Sequence, residues 1–277
     1  MSSLWARVLR ALGASIGTLA FLLGIRRGIV IENLSRAFPD KTPRELRALA
    51  LRVYRTLGAT FGEVAAARSI TDRELEALVT FDGFDRYTEA AQAGKGVVVA
   101  VAHFGNWELL GRACARRGVK LTAITRRLRG RWNAWLLKTR REGGMKELPD
   151  KDASRDAVAL LRRGEVLAVI VDQNMRPKRG VFVDFFGTPA CTSPAAAVYA
   201  LRARAPLLAA FPVRQPDGTH RVQVLGPFAP APGTSGHAAV LSLTQQLTRA
   251  VEDLVRAHPE QWLWLHRRWK TRPPARP

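Results

Sequence analysis

His103 and Glu108 are the pair whose types and spacing best suit chemistry. A carboxylate beside an imidazole fixes its tautomer and raises its basicity, as a general base requires. The stretch that carries them runs Val97-Val98-Val99-Ala100-Val101-Ala102-His103-Phe104-Gly105-Asn106-Trp107-Glu108. Six apolar residues, four of them Val, predict a strand buried on both faces and ending at His103. Gly105 permits a sharp turn, Asn106 can cap a helix, and 107–117 has helical character with Glu108 in its first turn. Ligand sites of open α/β sheets lie at such strand ends. Backbone N–H groups around Gly105, Asn106 and Trp107, at a helix N-terminus, are candidate donors to a developing oxyanion. Spacing alone leaves open the ordinary alternative, a polar residue leaving the sheet.

Other nucleophile, phosphate and metal patterns fail on context. Gly13-Ala14-Ser15-Ile16-Gly17 matches G-x-S-x-G, but no strand precedes it and it sits inside an apolar helix. Gly94-Lys95-Gly96 is no P-loop, since position 89 is Glu and neither Ser nor Thr follows the lysine. Cys114 and Cys191 form no CxxC, and the five histidines form no HExxH, so neither a zinc site nor a disulfide framework is expected. Cys114 reads as a small buried hydrophobe.

Two further strand ends gather polar groups. Val166 to Val171 is a second buried run, followed by Asp172-Gln173-Asn174 and then Arg179, a candidate pocket. A strand at 120–125 runs into Arg126-Arg127-Leu128-Arg129-Gly130-Arg131, four arginines in six residues. In a parallel sheet that end shares an edge with His103, where Arg126, Arg127 and Arg129 could grip a phosphate. A solvated basic face is the alternative.

The 277 residues allow one large domain or two small ones, and a substantial core. The balance of 44 Lys+Arg against 23 Asp+Glu, net +21, implies an anionic partner, either nucleic acid or an anionic membrane and phosphorylated lipid. Generally Arg-rich usage contributes to it. Nucleic acid is disfavoured, because the charge is spread over the whole chain and no nucleic-acid-binding motif occurs. Residues 11–25 are apolar between arginines, short for a span of roughly 20. They predict an uncleaved helix lying in or dipping into a membrane, the alternative being a packed core helix. Capping boxes at Thr42-Pro43-Arg44-Glu45 and Thr71-Asp72-Arg73-Glu74 start helices, the first running to about Arg68. Further helices are expected at 84–93, 132–141, 152–163, from Pro194 to about Arg204, and at 237–258. Further strands are expected at 206–213 and 221–225. The expected organisation is a membrane-anchoring helical segment at 1–30, one α/β domain at 31–270 and a disordered tail at 271–277.

His103-Phe104-Gly105-Asn106-Trp107-Glu108 resembles the HX4(D/E) motif of glycerolipid acyltransferases. In this form it is most similar to the lipid A biosynthesis acyltransferases, the lauroyl and myristoyl transferases. Asn33-Leu34 with Phe38-Pro39, Asp172-Gln173, Val181 to Ala190, and the terminal run from His258 to Lys270 extend the resemblance over nearly the whole chain. Asp184 stands where that pattern has Pro, which puts the local turn in question. The resemblance implies a glycerol-3-phosphate-acyltransferase-like fold with a mixed sheet flanked by helices. It implies His103 as base and Glu108 as its orienter, with acyl carrier protein as donor and a phosphorylated lipid A precursor as acceptor. It further implies acceptor-binding arginine after the 120–125 strand, no metal or dissociable cofactor, and the cytoplasmic face of the bacterial inner membrane. Transfer to another glycolipid or lysophospholipid remains open.

Overall fold

A computed structural model describes residues 4–125, 130–150 and 153–274. Sequence punctuation sets its first helices. α1 (Leu4–Leu22) runs into a turn at Gly24, and α2 (Arg27–Ala37) stops before Pro39. α3 (Pro43–Ala66) opens on a capping box in which Thr42 and Glu45 satisfy each other's backbone amides. A second box, Thr71 with Glu74, starts α4 (Asp72–Leu78). Then come β1 (Val79–Asp82), α5 (Phe84–Gln92), β2 (Val97–Val101), α6 (Trp107–Arg116), β3 (Leu121–Thr125) and α7 (Arg131–Glu142). Next are β4 (Lys146–Pro149), α8 (Ala153–Arg162), β5 (Val166–Ile170), and the pair β6 (Val181–Phe185) and β7 (Thr188–Thr192). The described chain continues through α9 (Ala195–Ala203), β8 (Leu207–Arg214), β9 (His220–Leu225) and α10 (Gly236–Ala257).

Among the described residues seven strands form one sheet, ordered β1-β9-β8-β2-β5-β3-β4. Five neighbours from β8 to β4 run parallel, while β9 is antiparallel to β8 and parallel to β1. This is the mixed α/β sheet that the family resemblance implies. β2 is central, and its alternating side chains feed two cores. Val98, Ala100 and Ala102 pack with Leu161, Leu207 and Leu247, whereas Val97 and Val101 pack with Leu75, Leu109 and Leu208. The edge strands β1 and β4 were not expected. Both are four residues long, and Lys-Glu-Leu-Pro carries the charge and proline by which edges resist further pairing. β6 and β7 form a hairpin closed by Phe186 and Gly187, both at positive φ. Asp184 fits there without disruption, its carboxylate accepting the Gly187 amide at 3.1 Å.

α1 is one-sided. Ala6, Gly13, Gly17 and Phe21 are buried, while Leu4, Leu12, Ile16, Leu19 and Leu22 stand exposed. Its buried face lies along α3 so closely that a Cβ on Gly13 would come 2.1 Å from the Gly58 carbonyl oxygen. Residues 4–22 are therefore packed against the α/β domain rather than set apart from it. Ser15 of the G-x-S-x-G match bonds back to the Ala11 carbonyl at 3.1 Å, as helical serines do. Thr271, expected to open a disordered tail, is tied to Asn174 and Met175.

Candidate active site

β2 and β5 are parallel neighbours with Val101 opposite Ile170, so His103 and Asp172, each two residues further on, emerge level at one sheet edge. The Asp172 carboxylate uses both oxygens. Oδ1 lies 2.9 Å from His103 Nδ1, and Oδ2 accepts the His103 backbone N–H at 2.9 Å and Trp262 Nε1–H at 2.8 Å. Asp172 is buried. Burial alone would raise its carboxyl, but the charge and hydrogen bonds of His103, joined by Trp262, outweigh that and hold it below the usual carboxylate range. An ionised Asp172 accepts Nδ1–H and leaves Nε2 as the basic, outward nitrogen. Gln173 Nε2 lies 3.5 Å from that nitrogen, at the limit of hydrogen bonding.

Glu108 points elsewhere. Its Oε1 accepts from Trp107 Nε1 at 3.0 Å, and Arg140 of α7 grips both oxygens, at 2.8 and 2.5 Å. Burial works against the Arg140 charge, yet Glu108 and Glu147 more than offset it and raise its pKa. Asp172, not Glu108, therefore occupies the imidazole Nδ1. Glu108 is linked to His103 through Trp107, whose ring packs edge-on to the imidazole at 5.2 Å between centroids.

The turn from strand to helix is clamped on several sides. Gly105 has φ 55°, and a Cβ there would lie 1.8 Å from the Pro212 carbonyl oxygen, so only glycine fits. The Gly105 N–H donates to the Gln261 carbonyl at 3.0 Å and is thus already committed. Asn106 caps α6 as expected, its Oδ1 accepting from Leu109 N–H at 3.1 Å. No described hydrogen bond uses the backbone N–H of Asn106, Trp107 or Glu108, and these groups remain at the helix N-terminus.

The terminal motif, with no chemical role read into it from sequence, forms the floor of the site. Phe104 pairs antiparallel with Trp262, and Leu263 N–H donates to the His103 carbonyl at 3.0 Å. Asn33 of α2 holds the far side of that segment, bonding the Trp264 and His266 carbonyls at 2.8 and 2.7 Å. His266 Nε2 accepts the Asn174 amide at 2.8 Å, which requires a neutral ring. Burial chiefly, with Arg268, His103 and Arg26 adding to it against Asp172, brings its pKa down to about 4.

Arg179 is exposed on the short turn Pro177–Arg179, and no described side-chain bond joins it to His103. Arg126, Arg127 and Arg129 lie outside the described residues, although β3 does end on the same edge as β2 and β5. Burial pushes the Cys114 thiol up to about 12, in keeping with an inert side chain.

Residues 3–271 match the sequence model of the family described as "Bacterial lipid A biosynthesis acyltransferase". Similar proteins from Escherichia coli (strain K12) include a lipid A biosynthesis lauroyltransferase, 26% identical over 273 residues, covering 98% of this chain and 88% of that protein. A lipid A biosynthesis myristoyltransferase from the same organism is 27% identical over 272 residues, covering 95% and 81%. Among solved structures, the 1-acyl-sn-glycerophosphate acyltransferase PlsC from Thermotoga maritima aligns with TM-score 0.40 and 14% identity, over 92% of this chain and 99% of that one.

Proposed function

The chain belongs to the bacterial lipid A biosynthesis acyltransferases, and from that premise we propose that it moves a fatty acyl chain from acyl carrier protein to a hydroxyl of a phosphorylated lipid A precursor, with His103 as general base. One observation carries the mechanism. The imidazole is held through Nδ1 by a buried carboxylate whose other oxygen is already satisfied, which turns Nε2 outward as the free base.

In this reaction the acceptor hydroxyl gives its proton to His103 Nε2 as its oxygen attacks the thioester carbonyl carbon. Asp172 stabilises the imidazolium that forms, and needs no proton itself. Charge develops on the carbonyl oxygen, which accepts from the α6 amides of Trp107 and Glu108, aided by the positive helix end. Collapse breaks the C–S bond, and the leaving thiolate takes the proton back from Nε2. Among the described residues no serine or cysteine hydrogen-bonds the His103 ring, which favours direct attack over an acyl-enzyme. Glu108, fixed by Arg140, holds Trp107 against the imidazole. The arginine run after β3 is assigned to the acceptor's phosphate, where a guanidinium can bond two oxygens at once.

The exposed apolar face of α1 supports membrane association. With its other face packed on α3, this helix lies in or dips into the membrane through its exposed side. A carrier-protein donor implies the cytoplasmic face of the inner membrane, and a chain of net +21 suits both an acidic carrier and anionic lipid.

The test is direct. The purified chain is incubated with acyl-carrier protein and a phosphorylated precursor bearing a free 3-hydroxyacyl hydroxyl, and the product is weighed by mass spectrometry. One acyl chain should be added, and His103→Ala should add none while remaining folded. Wild-type turnover by His103→Ala overturns the assignment.

A further inference from the structure

Behind the catalytic turn, α3 carries two buried polar side chains, Thr60 and Glu63, one helical turn apart and so facing the same way. Thr60 Oγ1 donates to the Gly105 carbonyl at 3.2 Å. Glu63 Oε2 accepts from Asn106 Nδ2 at 2.9 Å. Arg214, at the end of β8, binds both, donating to Thr60 Oγ1 at 2.9 Å and pairing with Glu63 Oε1. His220 of β9 brings Nε2 within 3.3 Å of Glu63 Oε2. Thr60, Glu63 and His220 are only 2%, 7% and 1% exposed.

Burying such a group is costly for a fold, and apolar side chains of similar volume often serve stability as well or better. What the group supplies is orientation. An ionised carboxylate accepts and cannot donate, so it faces the NH2 of Asn106 and never its oxygen. With Nδ2 committed to Glu63, Oδ1 is left to cap the Leu109 amide. The Asn106 amide thus has one permitted orientation, and the start of α6 is set by it. The Gly105 carbonyl, fixed by Thr60, sets the other side of the same turn.

We propose that Thr60 and Glu63 are positioning residues for acyl transfer: from α3 they lock the Gly105–Asn106 turn, and through it the α6 amides that face the developing oxyanion. This rests on the reaction proposed above. Neither residue touches substrate. Their removal should act on the transition state and leave ground-state binding of both substrates nearly unchanged.

The experiment compares Thr60→Val, Thr60→Ser and Glu63→Gln in the full chain, with acyl-carrier protein and the phosphorylated precursor. It measures kcat, KM for each substrate, and thermal unfolding. Thr60→Val removes the hydroxyl at constant volume, and Thr60→Ser restores it. Loss of the lock should lower kcat by about ten- to a hundredfold with KM values nearly unchanged. Thr60→Ser should stay close to wild type. Glu63→Gln should match or exceed Thr60→Val, and if it fails to fold, the two Thr60 variants decide. A merely structural role would lower Tm while kcat per folded molecule stays at the wild-type value, and that result overturns the proposal alone. A wild-type chain that transfers no acyl group overturns the parent reading and this one with it.

Discussion

Asp172 meets His103 twice, with Oδ1 2.9 Å from the ring Nδ1 and Oδ2 accepting the backbone N–H at 2.9 Å. The second contact fixes what an amide at this position must do. In Asp172→Asn the carbonyl oxygen should face the two donors now at Oδ2, the His103 N–H and Trp262 Nε1–H. The NH2 would then face Nδ1, making Nδ1 the acceptor and placing the ring proton on Nε2. That is the wrong tautomer for a base, so kcat should fall by roughly 10²–10⁴-fold with the protein folded. Steady-state kinetics check it, and near-wild-type kcat in Asp172→Asn would show that Asp172 does not set the tautomer.

Glu108→Gln should cost less. Its partners are Arg140 and Trp107, and the amide keeps one oxygen for Arg140 while losing charge. The consequence for catalysis is a looser Trp107 beside the imidazole, with the base and its tautomer intact. The order of kcat should therefore be wild type, then Glu108→Gln, then Asp172→Asn. An equal or larger loss in Glu108→Gln would return the carboxylate of the motif to a direct role.

That ordering marks where sequence reasoning runs out. The strand ending at His103, the turn at Gly105, the Asn106 cap and α6 are all local, and residues a few positions apart dictate them. Asp172 reads from sequence as a residue at a strand end, but its pairing with His103, 69 residues away, depends on β5 lying beside β2, which no local pattern encodes. The clue available was the likeness of two buried valine-rich runs, each closing in a polar residue. Glu108 lies close to the base in the chain, yet the first turn of α6 carries its carboxylate toward α7 and Arg140. Trp262 reads from sequence as part of an aromatic terminal motif, and its indole N–H acquires a role only when that segment pairs with Phe104.

The two faces of α1 should separate by mutation. Gly58→Val would press a side chain into the Gly13 backbone, where even a Cβ comes within 2.1 Å of the carbonyl oxygen. Overpacking of this kind costs about 1–3 kcal/mol, or a drop in Tm on the order of 2–4 °C per kcal/mol for a chain of this size. Thermal unfolding reads it, and an unchanged Tm would show that α1 does not dock on α3 as described.

On the opposite face, Leu12→Glu, Ile16→Glu and Leu19→Glu replace exposed apolar side chains without touching α3. Each buried leucine or isoleucine contributes roughly 1.5–3 kcal/mol of transfer free energy, so the triple variant should lose most vesicle binding while keeping its Tm. Flotation with anionic phospholipid vesicles measures this. Binding equal to wild type would leave no membrane role for that face.

His266 makes stability depend on pH, and the sign comes from its lowered pKa. In the unfolded chain an imidazole titrates near 6.5, while in the fold His266 does so at about 4. Between those values the unfolded state binds a proton that the folded state refuses, so stability is full above about 6.5 and falls as pH drops toward 4. His220, also lowered, chiefly by burial, pushes in the same direction. Glu63 and Asp172, held below their usual values, begin to cost stability only at lower pH, where an unfolded carboxylate takes up its proton. His266→Gln isolates one contribution, because its side-chain oxygen can still accept the Asn174 N–H, now at 2.8 Å from Nε2, but does not titrate. His266 is partly exposed, which reduces the effect to about 1 kcal/mol at pH 5, or a few degrees in Tm. Tm measured at pH 7.5 and pH 5 should therefore fall less in His266→Gln than in wild type, with the two proteins close together at pH 7.5. Parallel pH dependences would mean that His266 takes up its proton in the fold as readily as in the unfolded chain, and that the Asn174 amide does not need its lone pair.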